Sequence, residues 1–463
     1  MAVAIHSISE EESQVNIVYN YPYINYVSVV AALGGLLFGF DTAVISGTIP
    51  YITSYFILDD LMLGWAVSSI LAGCAIGAVF SGYISEKWGR KKVLLICSLL
   101  FGVSALGTGV SESFNFFIFN RILGGIAVGI AAMIAPMYIA EITPAKIRGR
   151  QVSLYQLAIM SGILLAFISN YFLSNLGESS WRWMFSVQIV PSLLFFFALI
   201  GVSESPRWLL SKGKNREALG VFEKIGGIQY AKTETKKIAT SFISANQKGE
   251  DLFSNKSNVR ILMLGIMVAV FSQVTGYNSI LYYAPFIFDK MGVSTKNALF
   301  QTLLIGIINV IFTFVALRKI EKTGRKKLLI SGSLVMGLCW FIMAFSFKND
   351  ALPSFILPLS MLIFIAGFAA TLGPVTWVYI SEIYPNRIRA KAMSITTLSL
   401  WISCFITSFS FPVLAKNMGE IFTFSLYGAF CLLYFILIIM YLPETKGKSL
   451  EELEVIFRKR YES

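Results

Sequence analysis

Away from the ends of its long apolar stretches, this chain has two ionisable residues. They are Asp41, in LFGFDTAVISG (37–47), and Arg121, in FNRILGG (119–125). Ionisable groups inside a membrane face a bundle interior or a cavity, and they pair. An acid and a base in the same half of a chain are therefore candidate partners. On a structural reading they form a fixed salt bridge that orients two helices. On a functional reading, Asp41 is a carboxylate whose proton affinity changes as the pair forms and breaks, because neighbouring charge and desolvation both act on it. Such a group can couple proton entry to a change of shape.

A second set is neutral: Gln156, Gln273, Asn278 and Asn309, with Tyr282, Tyr283 and Trp377 in the same apolar context. Asn278 and Tyr282 are four residues apart and share a helical face. Gly276 and Pro285 bracket that face and permit a helix that departs from ideal geometry. Amides offer donors and acceptors without charge, which suits polyhydroxyl ligands. A single buried amide serves equally well as a bond between helices. Several amides spread over both halves, with tryptophan and tyrosine among them, favour a central site for a neutral ligand.

These residues need membrane-spanning elements to position them. The 463 residues are 56% hydrophobic and 14% charged, with mean hydropathy +0.69. Soluble domains carry about 25% charged residues, so the composition is that of a membrane protein. A bilayer core needs roughly 20 apolar residues per helix. That criterion predicts twelve spans, near 24–50, 62–84, 93–111, 115–140, 150–173, 183–202, 257–285, 297–318, 327–346, 354–382, 387–414 and 420–442. The amino-terminal segment has no basic region, apolar core and small-residue cleavage site in that order, so no cleaved signal peptide is expected.

Basic residues segregate by side. One face receives Lys87, Arg90, Lys91 and Lys92, then Lys146, Arg148 and Arg150, then Arg318, Lys319, Lys322, Arg325, Lys326 and Lys327, then Arg387, Arg389 and Lys391. The other receives only Arg182, Lys290, Lys296, Lys348 and Lys416. Positive loops stay inside, which predicts a cytoplasmic location for both termini. The net charge of +12 is thus a topology signal, and no nucleic-acid partner is expected.

The basic loops also repeat. GYISEKWGRKK (82–92) returns as RKIEKTGRKK (318–327), and AEITPAKIRGR (140–150) as SEIYPNRIRAK (381–391). Glu141 maps onto Glu382 and Arg148 onto Arg389, and parallel six-helix halves of this kind occur in transporters. With Arg90 and Arg325, these acids and bases at helix ends suit an ion-pair latch that closes one face in one state and opens in another. The expected fold is an all-α membrane protein with twelve transmembrane helices in two six-helix halves. The predicted divisions are an amino-terminal half (1–203), a cytoplasmic helical linker (204–256), a carboxy-terminal half (257–442) and a cytoplasmic tail (443–463).

In the linker, Leu209, Ala218, Val221, Phe222 and Ile225 can form one apolar face, as in short amphipathic helices on the membrane surface. No G-x-x-x-x-G-K-[ST] phosphate loop occurs, which argues against an ATP-driven pump. Cys74, Cys97, Cys339, Cys404 and Cys431 all lie in apolar spans and read as small buried hydrophobes. Neither metal nor cofactor is expected. His6, in the polar amino-terminal segment, is assigned no role.

The chain resembles the sugar porters of the major facilitator superfamily over nearly its whole length. The stretches that carry the resemblance are FGFDTAVISG (38–47), GRKK (89–92), FNRILGGIAVGIAAMIAPMYIAEITPAKIRGR (119–150), SESPRW (203–208), QVTGYNSILYYAP (273–285), TGRKK (323–327), GPVTWVYISEIYPNRIRAKA (373–392) and PETKGKSLEE (443–452). The resemblance implies that Asp41 is the proton-linked acid and Arg121 its basic partner. It implies that Gln156, Gln273, Asn278 and Asn309 bind sugar hydroxyls and that Trp377 packs on the sugar ring. Phe38, Tyr282 and Trp401 match aromatics lining or closing the cavity. Three positions depart from the symporter pattern, with Ile163, Ser272 and Leu400 where glutamines are found. Loss of a hydroxyl partner costs about 1–3 kcal/mol, so these departures bear on which sugar is accepted.

Three functions fit. The first is a symporter that moves a hexose or pentose with a proton by alternating access, as a monomer in the cytoplasmic membrane. The second is a uniporter on the same fold, against which Asp41 stands. The third is a sensor that binds sugar without moving it, for which a longer cytoplasmic extension than the tail after Pro443 is expected. An enzyme is not expected, because the spans contain no histidine, catalytic dyad or metal-ligand cluster.

Overall fold

The structure is a computed structural model, and it describes residues 18–245, 252–253, 256–347, 353, 355–385, 388–446 and 452. His6, Lys348 and Arg387 lie outside the described residues, as does most of the tail.

Helices α1 (Tyr21–Ala43) and α2 (Ile45–Phe56) make span 1. Spans 2 to 5 are α3 (Asp60–Trp88), α4 (Arg90–Gly109), α5 (Phe114–Ile142) and α6 (Arg148–Leu173). Span 6 is divided into α7 (Ser180–Ser186) and α8 (Ile189–Ile200). After α9 (Pro206–Ser211) and α10 (Asn215–Ala245), span 7 is built from α11 (Lys256–Val274) and α12 (Tyr277–Lys290). Spans 8 and 9 are α13 (Thr295–Thr323) and α14 (Arg325–Ser346), and span 10 is α15 (Ile356–Ala370) with α16 (Leu372–Ile383). The final stretch, α17 (Arg389–Tyr441), leaves helical geometry at Gly419 (φ 80°) and is two helices, spans 11 and 12. The twelve crossings stand where apolar length placed them, although span 1 runs six residues past its expected end, to Phe56, and α3 and α13 run past theirs by up to five. The additional turns of α3 and α13 carry charged residues that a bilayer interface accepts.

The breaks have local causes. At Gly276 the backbone turns left-handed (φ 82°), a region that favours glycine. The carbonyl of Thr275 freed there accepts from Trp340 Nε1 at 2.8 Å. In span 10, Thr371 (φ −135°, ψ −87°) separates α15 from α16. Both breaks leave polar backbone at membrane depth, which is tolerated only where protein surrounds it.

The linker packs on the face that holds the basic loops. Leu209, Ala218, Val221, Phe222 and Ile225 are all buried. Trp208 Nε1 donates to the Glu86 carbonyl at 2.9 Å, and Asn20 N, just before α1, donates to the Ile225 carbonyl at 2.9 Å. The chain after α17 meets this same face, since Arg325 N donates to Glu444 Oε1 at 2.9 Å.

The two halves touch at the opposite face. Helix α2 packs on α12 there, Trp65 meets Phe405 edge-on at 5.8 Å, and Tyr171 lies 6.1 Å from Phe300. Asp60 pairs with Lys416 across the seam. Gly64 is so close to span 11 that an added Cβ would lie 2.4 Å from the Phe409 carbonyl oxygen.

Candidate functional site: a buried ion pair and a set of polar side chains between the halves

Asp41, at the end of α1, and Arg121, near the start of α5, come together. Arg121 Nη1 donates to Asp41 Oδ1 at 2.8 Å and to the Asp41 carbonyl at 3.1 Å, with both residues at most 2% exposed. The guanidinium also lies over the Phe185 ring of α7, 5.3 Å from its centroid. Asp41 Oδ2 and Arg121 Nε and Nη2 have no hydrogen-bond partner among the described residues. Gln188, between α7 and α8, approaches the carboxylate, but without hydrogen-bond geometry at its own Nε2. Sequence reasoning missed Gln188, which only the packing of span 6 against α1 brings near Asp41. It also missed Gly124, where a Cβ would lie 2.7 Å from Asp41 Oδ2.

The amides divide into two groups. Gln273 and Asn278 face each other across the Gly276 break, with Asn278 Nδ2 donating to Gln273 Oε1 at 2.8 Å and to Cys404 Sγ at 3.0 Å. Both are half-buried, as is Gln156 on α6. Asn309 is fully buried and donates to Tyr277 OH at 2.8 Å, and the Tyr277 ring stacks on Phe368 with centroids 3.7 Å apart. It thus stands behind Tyr277, its Oδ1 without a hydrogen-bond partner among the described residues.

Aromatics close the gap between halves. Phe38 on α1 meets Trp401 of span 11 at 5.8 Å, and the buried Trp401 Nε1 donor has no hydrogen-bond partner among the described residues. Tyr282 is buried and in electrostatic range of Arg121 across the seam, whereas Trp377 on α16 is 38% exposed. Ile163, Ser272 and Leu400 are all buried.

On the basic face the acids pair within their own halves. Glu141 receives two bonds from Arg90, at 2.8 and 2.9 Å, and one from Ser205 Oγ at 2.5 Å. Glu382 receives Arg325 Nη2 at 2.8 Å. Arg148 is exposed and in electrostatic range of Tyr230 on α10, and Arg389 donates to the Tyr384 carbonyl at 2.9 and 3.1 Å.

Two further acids, not assigned roles from sequence, complete this arrangement. Glu204 accepts from the backbone N–H groups of Arg90, Lys91 and Ser205, and Glu444 from those of Arg325, Lys326 and Thr445. Each seats a carboxylate on the amino terminus of a helix, where the dipole favours negative charge. The signal was present in the repeat, because Glu204 and Glu444 are separated much as Glu141 and Glu382 are. Burial raises the Glu204 carboxyl above its ordinary range, against the opposing effect of the backbone donors and Arg90.

With fold and site described, the relationships are plain. Residues 27–457 match the family described as "Sugar (and other) transporter". The D-xylose-proton symporter of Escherichia coli (strain K12) is 40% identical, covering 96% of this chain and 97% of that protein. The arabinose-proton symporter of Bacillus subtilis (strain 168) is 38% identical, covering 94% and 96%. The xylose transporter XylE from E. coli, in a partially occluded inward-open conformation, superposes with a TM-score of 0.84 at 38% identity, covering 92% of this chain and all of that one. The chain belongs to the sugar porter family of the major facilitator superfamily, a family of membrane transporters rather than enzymes.

Proposed function

We propose that the protein is a proton-coupled monosaccharide symporter for a xylose- or glucose-like sugar, working by alternating access. The observation that carries this reading is the Asp41–Arg121 pair, an acid and a base sealed inside the membrane region and joined through a single carboxylate oxygen. A uniporter has no need of that arrangement. The names of the proton-linked relatives support the same reading. Protonation of Asp41 releases Arg121, and re-pairing expels the proton on the other side. The membrane potential contributes about 2.3 kcal/mol per charge per 100 mV, enough to concentrate a sugar about fifty-fold.

In this reading Gln156, Gln273 and Asn278 bind hydroxyls, Asn309 acts on the sugar through Tyr277, Trp377 packs on the ring, and Phe38, Tyr282 and Trp401 line or close the cavity. Glu141, Arg90, Glu382, Arg325, Arg148 and Arg389 gate the basic face. The sided distribution of lysine and arginine supports a cytoplasmic position for that face and both termini, in a monomer of the cytoplasmic membrane. The contacts sealing the opposite face then correspond to an inward-facing state. The division into 1–203, 204–256, 257–442 and 443–463 follows the same logic, with α9 and α10 as the link between halves.

The decisive experiment adds xylose or glucose to de-energised vesicles containing the protein and follows external pH. Alkalinisation that accompanies sugar entry is expected. Sugar entry at constant pH would make the protein a uniporter, and binding without entry would make it a sensor.

A further inference from the structure

The Ser272 hydroxyl is fully buried and donates its one hydrogen to the Ala269 carbonyl at 2.7 Å. Its oxygen can therefore only accept, and it accepts from Gln273 Nε2 at 3.0 Å. That contact determines which end of the Gln273 amide faces Ser272, and it turns Oε1 toward Asn278. Asn278 must then present its nitrogen, since two facing amide oxygens would repel. One of its N–H groups meets Gln273 Oε1 at 2.8 Å, and the other meets Cys404 Sγ at 3.0 Å. A primary amide has two hydrogens, so both are spent.

We infer that Ser272 and Cys404 are positioning residues that polarise the sugar site, so that Asn278 offers a ligand only an acceptor and Gln273 offers a donor. A sugar hydroxyl at Asn278 must consequently donate its hydrogen. The direction is imposed by a backbone carbonyl about two turns before the break at Gly276, and passes along a row of side chains to Asn278. Ser272 is one of the positions where a family glutamine is absent. A glutamine there could turn over and leave the direction open, whereas a serine already committed to its own helix cannot. The inference rests on the reading of Gln273 and Asn278 as sugar ligands.

Fluorinated sugars test it, because fluorine in place of hydroxyl accepts weakly and donates nothing. Binding of D-glucose, its deoxy analogues and its fluorodeoxy analogues is measured by calorimetry on the parent protein and variants. The hydroxyl that Asn278 contacts is the one whose removal no longer matters in Asn278→Ala. At that position the deoxy and fluorodeoxy sugars are both expected to bind on the order of tenfold more weakly than the parent sugar, the worth of one neutral hydrogen bond. Ser272→Ala frees the Gln273 amide to reverse and is expected to recover binding of the fluorodeoxy sugar but not of the deoxy sugar. Ser272→Thr, which keeps the hydroxyl, retains the parent pattern. Cys404→Ala releases one Asn278 hydrogen and should move the pattern in the same direction as Ser272→Ala. Parent-like binding of the fluorodeoxy sugar to the parent protein overturns the inference while leaving the site in place. An unchanged pattern in Ser272→Ala and Cys404→Ala removes their positioning role. Unchanged sugar affinity in both Gln273→Ala and Asn278→Ala instead overturns the underlying assignment of the site.

Discussion

Arg121 grips Asp41 from one side, with Nη1 2.8 Å from Oδ1, while Oδ2 has no hydrogen-bond partner among the described residues. A two-pronged fork, as Arg90 makes on Glu141, resists separation more strongly. The buried pair therefore leaves one carboxylate oxygen without a hydrogen bond among the described residues, where a group that cycles between paired and protonated states can take up its proton.

Asp41→Asn removes the titrating group and keeps its volume. The variant is expected to bind sugar and exchange it across the membrane at rates near the parent's. Uphill accumulation should fall from the roughly fifty-fold that a 100 mV potential supports to no gradient at all. Counterflow and external pH recorded on the same vesicles separate the two activities. Full accumulation by the variant would return Asp41 to a structural role.

Gly124 gives the carboxylate its room. In Gly124→Ala the new methyl would lie 2.4 Å from Ser104 Oγ and 2.7 Å from Asp41 Oδ2. Overpacking of this kind costs about 1–3 kcal/mol. A lower melting temperature in detergent is expected, with a larger loss of proton-linked uptake than of exchange. Parent-like melting and uptake would mean that the helices separate there without cost.

The seam at the face away from the basic loops depends on Gly64, whose added Cβ would lie 2.4 Å from the Phe409 carbonyl. Gly64→Leu should hold the halves apart at that face. Spin-label distances between positions flanking Asp60 and Lys416 are expected to lengthen, and uptake to fall at least tenfold, the equivalent of about 1.4 kcal/mol. Distances identical to the parent's would show that this contact does not limit closure.

Glu204 makes stability depend on pH. Burial raises its folded-state value above the ordinary 4.5, so across that interval the folded protein binds more protons than the unfolded chain. Stability from this group is full below 4.5 and is lost as pH rises through the folded value. Melting temperatures taken upward from that pH should decline more steeply for the parent than for Glu204→Gln. Parallel curves would remove Glu204 as the source.

Much of the architecture was legible in the chain because its determinants are local. Apolar length alone located twelve crossings, and the recurrence of GRKK-type loops and of Glu141 as Glu382 exposed the two halves. Apolar spacing in the linker predicted burial of Leu209, now on α9, and of Ala218, Val221, Phe222 and Ile225 on α10, all of them buried. Asp41 and Arg121 were identifiable because an isolated charge in hydrocarbon calls for a partner, and each half of the chain offered few candidates.

Partner choice was decided by the tertiary structure. Glu141 could be assigned to a latch from its position at a helix end, but its pairing with Arg90 depends on where α4 and α5 cross. Asn309 read as a cavity amide and stands behind Tyr277, because the rotation of α13 against α12 determines which face it presents. Gln188 approaches Asp41 because span 6 packs beside α1, and Cys404 meets Asn278 because span 11 packs against the Gly276 turn. Periodicity and composition report what a residue needs from its surroundings. Hydrogen bonds act over about 3 Å, and only the packed helices determine which groups come that close.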